Sequence, residues 1–434
     1  MSDPISTALQ QYLTQYPIPQ RIGVAVSGGP DSMALLHCLH QWCQNAQKEL
    51  VAFHVNHQLR PAASDEAVQV ATWCAAWDIP YEILVWHHTP YDKTTVQKEA
   101  REARYQLLQE ACQKSYVTHL FLAHHHNDQI ETLLLRLFKG SGLMGLVGMQ
   151  PIAQRSSLTL MRPLLTCTKE AITHYVAQYN IPFLKDPSNQ NNAFLRVKIR
   201  SFVQQAQEGG LDPALLQTSF QKLALFQESF QDDFIDFIKQ YGVLSTLGYL
   251  TIDHHHFCHL SFAKQCFFLE LCLKIVGGHY YAPRWDSLKQ MAKNLTHPSF
   301  KAQTLGGCYV RIKKSTIEIM RECACVTEEI SLSSSKIWWD RRFFIDNLPQ
   351  DTIYSKCHIK KLGRDGRLFL KKAGVPTVST HPAPAIEALP ALWQKDQLLA
   401  VPSILYGQKE IRVTFSPETL ARLPHTLEQQ GVLI

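Results

Sequence analysis

The run Ser27-Gly28-Gly29-Pro30-Asp31-Ser32 is the stretch of this chain best suited to chemistry. Two adjacent glycines let the backbone bend tightly and approach a ligand closely. The run follows the apolar stretch Arg21–Val26 and opens a helical pattern. Main-chain N–H groups at such a helix start converge on one point, with the positive end of the helix dipole behind them. Ser27 and Ser32 add hydroxyl donors, so the run reads as an anion site suited to phosphate. It lacks the Gly-Lys-Ser/Thr of a Walker A loop and is not that device. Further on, Asp128 and Glu131 are spaced to put both carboxylates on one face of a helix, and Arg101 and Arg104 share that spacing.

These side chains need a frame. Arg21–Val26, Val51–Val55, Tyr81–Trp86 and His119–Ala123 read as buried strands recurring roughly every thirty residues, the length of a βαβ unit. Between them lie helical patterns: one with Leu35, Leu36, Leu39, Trp42 and Cys43 on one face, then Asp65–Trp77 and Lys93–Lys114. The expected fold class is α/β, a parallel sheet with helices on both faces, and ligands in such sheets bind at the carboxyl ends of the strands. Gly140, Gly142, Gly145 and Gly148 mark a turn region, followed by a helix over Lys169–Tyr179 and a Pro- and Asn-rich loop over Pro182–Asn192. Helices are expected over Pro213–Lys239, Phe262–Val276 and Asp286–Asn294, and short strands over Tyr309–Ile312 and Thr316–Ile319. The expected domains are 1–205, a mostly helical 210–325 and, beyond the serine-rich break Ser331–Ser335, a small basic α+β unit at 350–434.

Bulk properties narrow the setting. The formal net charge of +6 is compatible with a polyanionic partner. Twelve cysteines are scattered, no CxxC occurs, and the nearest arrangement is Cys323-Ala-Cys325, so they read as reduced residues of a cytoplasmic protein. Met1–Gln20 shows no basic start followed by an apolar run, and no stretch of about eighteen apolar residues exists to span a membrane. His124–His126 does not read as a zinc site, because adjacent histidines at a strand end point in opposite directions and no matching Cys/His set exists; His254–His256 reads the same way.

The lysine-free Ser-Gly-Gly-x-Asp-Ser after a strand resembles the PP-loop family of ATP pyrophosphatases, which split ATP between the α and β phosphates. Several further stretches narrow this: His54–Arg60, Ala100-Arg101-Glu102-Ala103-Arg104-Tyr105, His124-His125-His126-Asn127-Asp128-Gln129-Ile130-Glu131-Thr132, Lys139–Leu143, Arg162-Pro163-Leu164-Leu165 and Lys185-Asp186-Pro187-Ser188-Asn189. In order and spacing they resemble the tRNA(Ile)-lysidine synthases, strongly over residues 20–200 and less beyond. The resemblance implies ATP as cosubstrate, Mg²⁺ held with help from Asp31, and two further substrates: the isoleucine tRNA with a CAU anticodon and free L-lysine. ATP would adenylate O2 of the wobble cytidine, and the ε-amine of lysine would attack C2 and expel AMP. The resulting lysidine pairs with A, shifting codon reading from AUG to AUA.

Within that chemistry, Ser27, Gly28, Gly29, Pro30, Asp31 and Ser32 would bind ATP. A free lysine ammonium has a pKa of about 10.4 and must lose a proton before it attacks. Asp128 and Glu131 could hold the ammonium, take its proton or bind Mg²⁺. Arg104 could steady phosphate or charge developing on the base, or pair with Glu99 or Glu102 on the surface. Arg196, Lys198 and Arg200 form a basic strip where the family pattern Arg-Asn-x-Ile-Arg reads Arg196-Val197-Lys198-Ile199-Arg200 and has lost its asparagine. Lys360, Lys361, Arg364, Arg367, Lys371 and Lys372, with Lys356, suit phosphate contacts with tRNA. The family's Pro-x-Trp-x-Arg is replaced by Val375-Pro376-Thr377-Val378-Ser379-Thr380, a divergence of the last domain. A homodimer is compatible with these features. Other PP-loop enzymes fit less well: tRNA thiolases commonly need CxxC pairs, and NAD or GMP synthetases lack the His54–Arg60 and Asp186–Asn189 arrangement. A tRNA-binding module without activity would account for the basic clusters but not for the loop with its carboxylates.

Overall fold

The computed structural model describes residues 3–58, 62–87, 96–140, 145–155, 158–184, 195–279, 282–332, 337–348, 356–407 and 410–417. Leu59 and Arg60, Ser141–Leu143, and the Lys185–Asn189 motif lie outside them. The chain divides into two compact units, 1–225 and 226–434.

The first unit is built on a six-stranded sheet. Its elements run α1 (Pro4–Thr14), β1 (Arg21–Ala25), α2 (Pro30–Ala46), β2 (Glu49–Asn56), α3 (Ala63–Ala76), β3 (Tyr81–Val85), α4 (Val96–Lys114), β4 (His119–Phe121), α5 (His126–Phe138), β5 (Ile152–Arg155), β6 (Leu158–Met161), α6 (Lys169–Gln178) and α7 (Leu195–Glu208). Strand order is β3-β2-β1-β4-β6-β5, and every pair is parallel except the edge hairpin β5–β6. The parallel core is as expected from the sequence; the antiparallel edge was not legible there, since β5 and β6 are four residues each.

Strand parity sorts the core into two layers. On β2, Leu50 and Ala52 face one cluster with Ile22 and Val24 of β1, packed under α1, α2, α3 and α6. Val51 and Phe53 face the other, with Leu120 and the α4 residues Tyr105, Leu108 and Cys112. This period of two on a sheet covered on both faces is why these strands read as continuous apolar runs. Gly23 of β1 is obligatory at this density: a Cβ there would lie 2.8 Å from the Phe53 ring. Truncating the fully buried Phe53 to Ala would cost about 3–5 kcal/mol.

The order of strands also locates the site. Successive strands run outward from β1 through β2 to β3, and the chain then returns to β4 on the other side of β1. The loops leaving β1 and β4 therefore diverge at one crevice, the switch point where open parallel sheets bind ligands.

A long helix, α8 (Pro213–Tyr241), carries the chain into the second unit. There β7 (Gly242–Leu244), β8 (Leu250–Asp253), β9 (Ala302–Leu305), β10 (Cys308–Lys313) and β11 (Thr316–Arg321) form an antiparallel sheet in the order β7-β8-β11-β10-β9. With it lie α9 (His254–His259), α10 (Phe262–Gly277) and α11 (Trp285–Leu295). The expected helices and the β10–β11 hairpin are present; β7, β8 and β9 are additional to the strands the sequence suggested. Two further sheets follow, β12 (Ile330–Ser331), β15 (Cys357–Lys361), β16 (Pro390–Gln394) and β17 (Gln397–Ala400), and β13 (Ile337–Trp339), β14 (Phe343–Asp346) and β18 (Arg412–Phe415). Helices α12 (Gly363–Lys372), α13 (Thr377–Thr380) and α14 (Ala383–Glu387) complete the unit. The strands from Ile330 and Ile337 take in residues that the sequence left between its second and third parts. Arg342, 1% exposed, binds this unit together: it donates to Asp340 at 2.6 Å and to the Ala388 carbonyl at 3.1 Å.

Candidate active site

The loop after β1 is shaped by its own small residues. Gly28 has φ +85°, and a Cβ there would sit 2.6 Å from Leu184 and 2.8 Å from Val70, so both conformation and space demand glycine. Its carbonyl accepts from the Leu184 N–H at 2.9 Å, which pins the loop. The buried Ser32 hydroxyl donates to the Gly29 carbonyl at 3.0 Å and accepts from the Ser27 N–H at 3.1 Å. Ser32 thus holds the turn, while Ser27 is exposed at its rim. Gly29 is the N-cap of α2 and supplies no side-chain cap; Pro30 follows at the first helical position. The N–H groups of the first turn consequently have no partner inside the helix and face outward with its dipole, as an oxyanion requires.

Asp31 lies in that first turn and gathers charge from elsewhere. Lys169, at the start of α6, places Nζ 2.5 Å from Asp31 Oδ1. His125 Nε2 stands 3.8 Å from Asp31 Oδ2 and 3.6 Å from Asp128 Oδ2. His125 caps α5: its Nδ1 accepts from the Asn127 N–H at 3.2 Å, and Asp128 accepts from the His125 N–H at 3.1 Å. With Nδ1 accepting, the ring proton belongs on Nε2, which is aimed at the two carboxylates. Asp31, after β1, and Asp128, after β4, therefore flank the same imidazole nitrogen.

Glu131 takes a different direction. It is 4% exposed, and Oε1 accepts from Arg200 Nε of α7 at 2.5 Å. Its Oε2 is buried without a partner among the described residues. Burial would lower the Arg200 pKa, but the bond and charge of Glu131, with Asp128 and Asp31 beyond, outweigh it and raise the pKa. Of the strip on α7, all three cations are exposed; Arg200 reaches Glu131, and Arg196 lies within electrostatic range of His124.

Beside these carboxylates is a concentration of arginine. Arg101, Arg104 and Arg155 lie over the buried Tyr105 ring, with guanidinium carbons 5.4, 5.3 and 4.3 Å from its centroid. Burial alone would raise the Tyr105 phenol, yet Arg104, Arg101, Arg162 and Arg155 prevail and hold it below its ordinary value. Arg162 donates to His124 Nδ1 at 3.3 Å. Burial, reinforced by Arg162, Arg104, Arg101 and Arg196, holds His124 well below the usual histidine range, so the ring is neutral. Arg104 Nε is buried without a hydrogen-bond partner among the described residues. It is Arg155, not Arg104, that pairs with Glu102, at 2.8 Å.

Four participants were given no role in the sequence: Lys169, His125, Arg162 and Tyr105. Lys169 had a legible signature. A cation in the first turn of a helix, here just after the Thr168 cap, opposes the dipole and calls for a carboxylate partner. Gln129, inside the same motif, binds both the carbonyl and the N–H of Met149 at 2.7 Å and so fixes the glycine-rich turn to α5.

The basic residues of the second unit are largely engaged. Lys361 donates to the Cys323 carbonyl at 3.0 Å, Arg367 to Glu387 at 2.8 Å, and Lys360 lies 5.2 Å from the Trp393 ring centroid. Arg364, Lys371 and Lys372 are exposed on α12.

A PP-loop domain model matches residues 1–207. A tRNA(Ile)-lysidine synthase of Orientia tsutsugamushi is 26% identical over 422 residues, covering 93% of this chain and 95% of that protein. One from a Wolbachia of Brugia malayi is 32% identical, covering 74% and 76%, and one from Anaplasma marginale is 33% identical, covering 74% and 70%. Among solved structures, a U34-tRNA thiolase of Methanococcus maripaludis aligns with 50% of this chain and 78% of its own at 14% identity and a TM-score of 0.44. The chain belongs to the tRNA(Ile)-lysidine synthase family, PP-loop enzymes that use ATP to modify a tRNA.

Proposed function

We propose that this enzyme joins the ε-amine of free L-lysine to C2 of the wobble cytidine in the CAU anticodon of tRNA(Ile), through an adenylated cytidine, and thereby converts AUG reading to AUA reading. The observation that carries this is the meeting of the β1 and β4 loops. The main-chain N–H groups of Asp31 and Ser32, the carboxylates of Asp31 and Asp128, and the arginines around His124 belong to the elements that meet at the switch point of the sheet.

In the first step the cytidine O2 forms a bond to the α-phosphorus of ATP and pyrophosphate leaves. The first-turn N–H groups of α2 bind phosphate oxygens and Lys169 adds positive charge beside them. In the second step the lysine amine bonds to C2 and AMP departs with the O2 electron pair. The ammonium must first give up its proton. Glu131 Oε2, buried and without a partner among the described residues, suits the incoming ammonium, with Arg200 fixing the carboxylate through Oε1. Arg104, whose Nε has no partner among the described residues, is the cation proposed to balance negative charge on phosphate or base. Asp31, a carboxylate in the first turn of α2 beside the phosphate-binding N–H groups, is the residue that would help hold Mg²⁺, whose chemistry would be to neutralise phosphate charge. Arg196, Lys198 and Arg200, and in the C-terminal part Lys360, Lys361, Arg364, Arg367, Lys371 and Lys372, would serve tRNA binding. A catalytic 1–205, a substrate-binding 210–325 and a basic 350–434 remain the proposed division of labour.

The test is incubation with Mg-ATP, labelled lysine and tRNA(Ile) transcripts carrying CAU or a changed wobble base. Label enters only the CAU transcript; label in neither RNA overturns the proposal.

A further inference from the structure

Away from the switch-point crevice, the densest run of metal-ligating side chains is Asp253-His254-His255-His256-Phe257-Cys258-His259. Were this segment a strand, its side chains would alternate and the histidines would separate. The chain instead leaves β8 at Asp253 and turns at once into α9. That turn brings one donor atom from each of Asp253, His255 and His256 within 4.8 Å of one another. Ligands of a tetrahedral ion bound at 2.0–2.1 Å are about 3.4 Å apart, so the set needs only small rotations of exposed side chains to close on an ion.

The neighbouring contacts sort ligands from bystanders. His254 points into the fold: its Nε2 lies 2.7 Å from the Leu295 carbonyl and 3.3 Å from Cys258 Sγ. His256 is held on two sides, stacked on Tyr241 at 3.9 Å between centroids and bonded through Nδ1 to Asp253 Oδ1 at 2.7 Å. Asp253 also accepts from the His256 N–H at 2.9 Å, which anchors the carboxylate. His259 follows His255 by one turn, with ring centroids 4.2 Å apart. Its Nδ1 bonds the His255 carbonyl at 2.8 Å, leaving Nε2 with the lone pair.

We infer that Asp253, His255 and His256, with His259 nearest the fourth position, form a surface site for a borderline first-row dication, zinc above all. Imidazole nitrogens with one carboxylate select zinc, nickel or copper over magnesium and calcium, which prefer all-oxygen shells. Binding asks for one tautomer change: the proton on His256 Nδ1 moves to Nε2, and the ion takes its place opposite Asp253. With His255 and His256 exposed, the site binds reversibly rather than as a folding element.

The experiment uses the full chain, stripped with a chelator and titrated with Zn²⁺ against a chromophoric competitor, then with Co²⁺ while visible absorption is recorded. Wild type takes up one equivalent that the double variant His255→Asn/His256→Asn lacks, and the tetrahedral Co²⁺ band disappears with it. His297→Asn, at an exposed histidine outside the run, retains both. Circular dichroism is unchanged throughout, because the substituted rings are at the surface. Equal zinc uptake and equal Co²⁺ spectra in wild type and the double variant overturn the site, as does a wild type that takes up no zinc.

Discussion

Around His124, the guanidinium groups of Arg101, Arg104 and Arg162 converge from α4 and from the segment after β6, and Arg196 of α7 adds its field. Along β15 and α12, a longer basic run is dispersed: Lys361 and Arg367 are bonded within the unit, Lys360 lies against Trp393, and only Arg364, Lys371 and Lys372 face water freely. The first cluster concentrates positive charge over the buried Tyr105, where Arg104 Nε has no hydrogen-bond partner among the described residues. The second spreads charge over a solvated helix. Electrostatics act with full force in the first setting and are screened in the second, so the first suits a reaction and the second suits affinity for a polyanion.

If that contrast is right, substitutions in the crevice act on turnover. Asp31→Ala has the largest expected effect: AMP and pyrophosphate release fall by about 10³-fold or more while tRNA binding is retained, in line with losses from deleting an active-site group. Normal turnover in this variant would remove Asp31 from the site. Arg104→Ala follows, with a loss of about 10²–10³-fold in kcat. Arg104→Lys recovers little of it, because an ammonium lacks the guanidinium fork. An unchanged kcat in both variants would break the distinction drawn between the two clusters.

The Glu131–Arg200 pair sharpens the comparison within the crevice through an asymmetry. Arg200→Ala strands a carboxylate that is 4% exposed, at a cost of about 3–5 kcal/mol. Glu131→Ala leaves a half-exposed guanidinium that water can serve, so it costs less. Denaturant melts of the two variants should rank in that order, and the reverse ranking would mean that Glu131 is hydrated in solution.

What the sequence disclosed follows the range of the interactions involved. The β1 loop was legible because its demands are local: Gly28 needs a positive φ and open space, and Ser32 closes the turn on Gly29. Asp128 and Glu131 shared a face by helical spacing, but the spacing did not reveal that one turns to His125 and the other to Arg200. Those partners lie on other elements, as do Lys169 for Asp31 and Arg162 for His124. The parallel strands announced themselves as apolar runs, whereas β7, β9 and the edge hairpin β5–β6 were too short to carry a pattern. The histidine run at α9 carried no such signal in the sequence, since it is the helical turn that brings donors of Asp253, His255 and His256 near one another.

A pH experiment probes the crevice cluster from its neutral member. His124 is depressed from 6.5 in the folded protein, so between that folded value and 6.5 the unfolded chain binds the extra proton. Stability from this group is therefore complete above 6.5 and is lost as pH falls below it, at up to about 1.4 kcal/mol per pH unit. His124→Gln removes that slope. Equal slopes in wild type and variant between neutrality and pH 5 would mean that the arginines do not press on this ring.

The smallest effects belong to α12, and they separate its free cations from its engaged ones. Each exposed cation that contacts a phosphate releases counterions on binding, so Lys371→Ala and Lys372→Ala should each flatten the plot of log affinity for tRNA against log salt by about one unit. Lys361→Ala should hardly change that slope, because its ammonium is already bound to the Cys323 carbonyl. Arg367→Ala should behave likewise, with Glu387 as the partner left behind. If Lys361 and Arg367 shift the slope as much as Lys371 and Lys372 do, those internal bonds open when RNA binds. The C-terminal cluster would then be a reserve of charge that the polyanion itself unlocks.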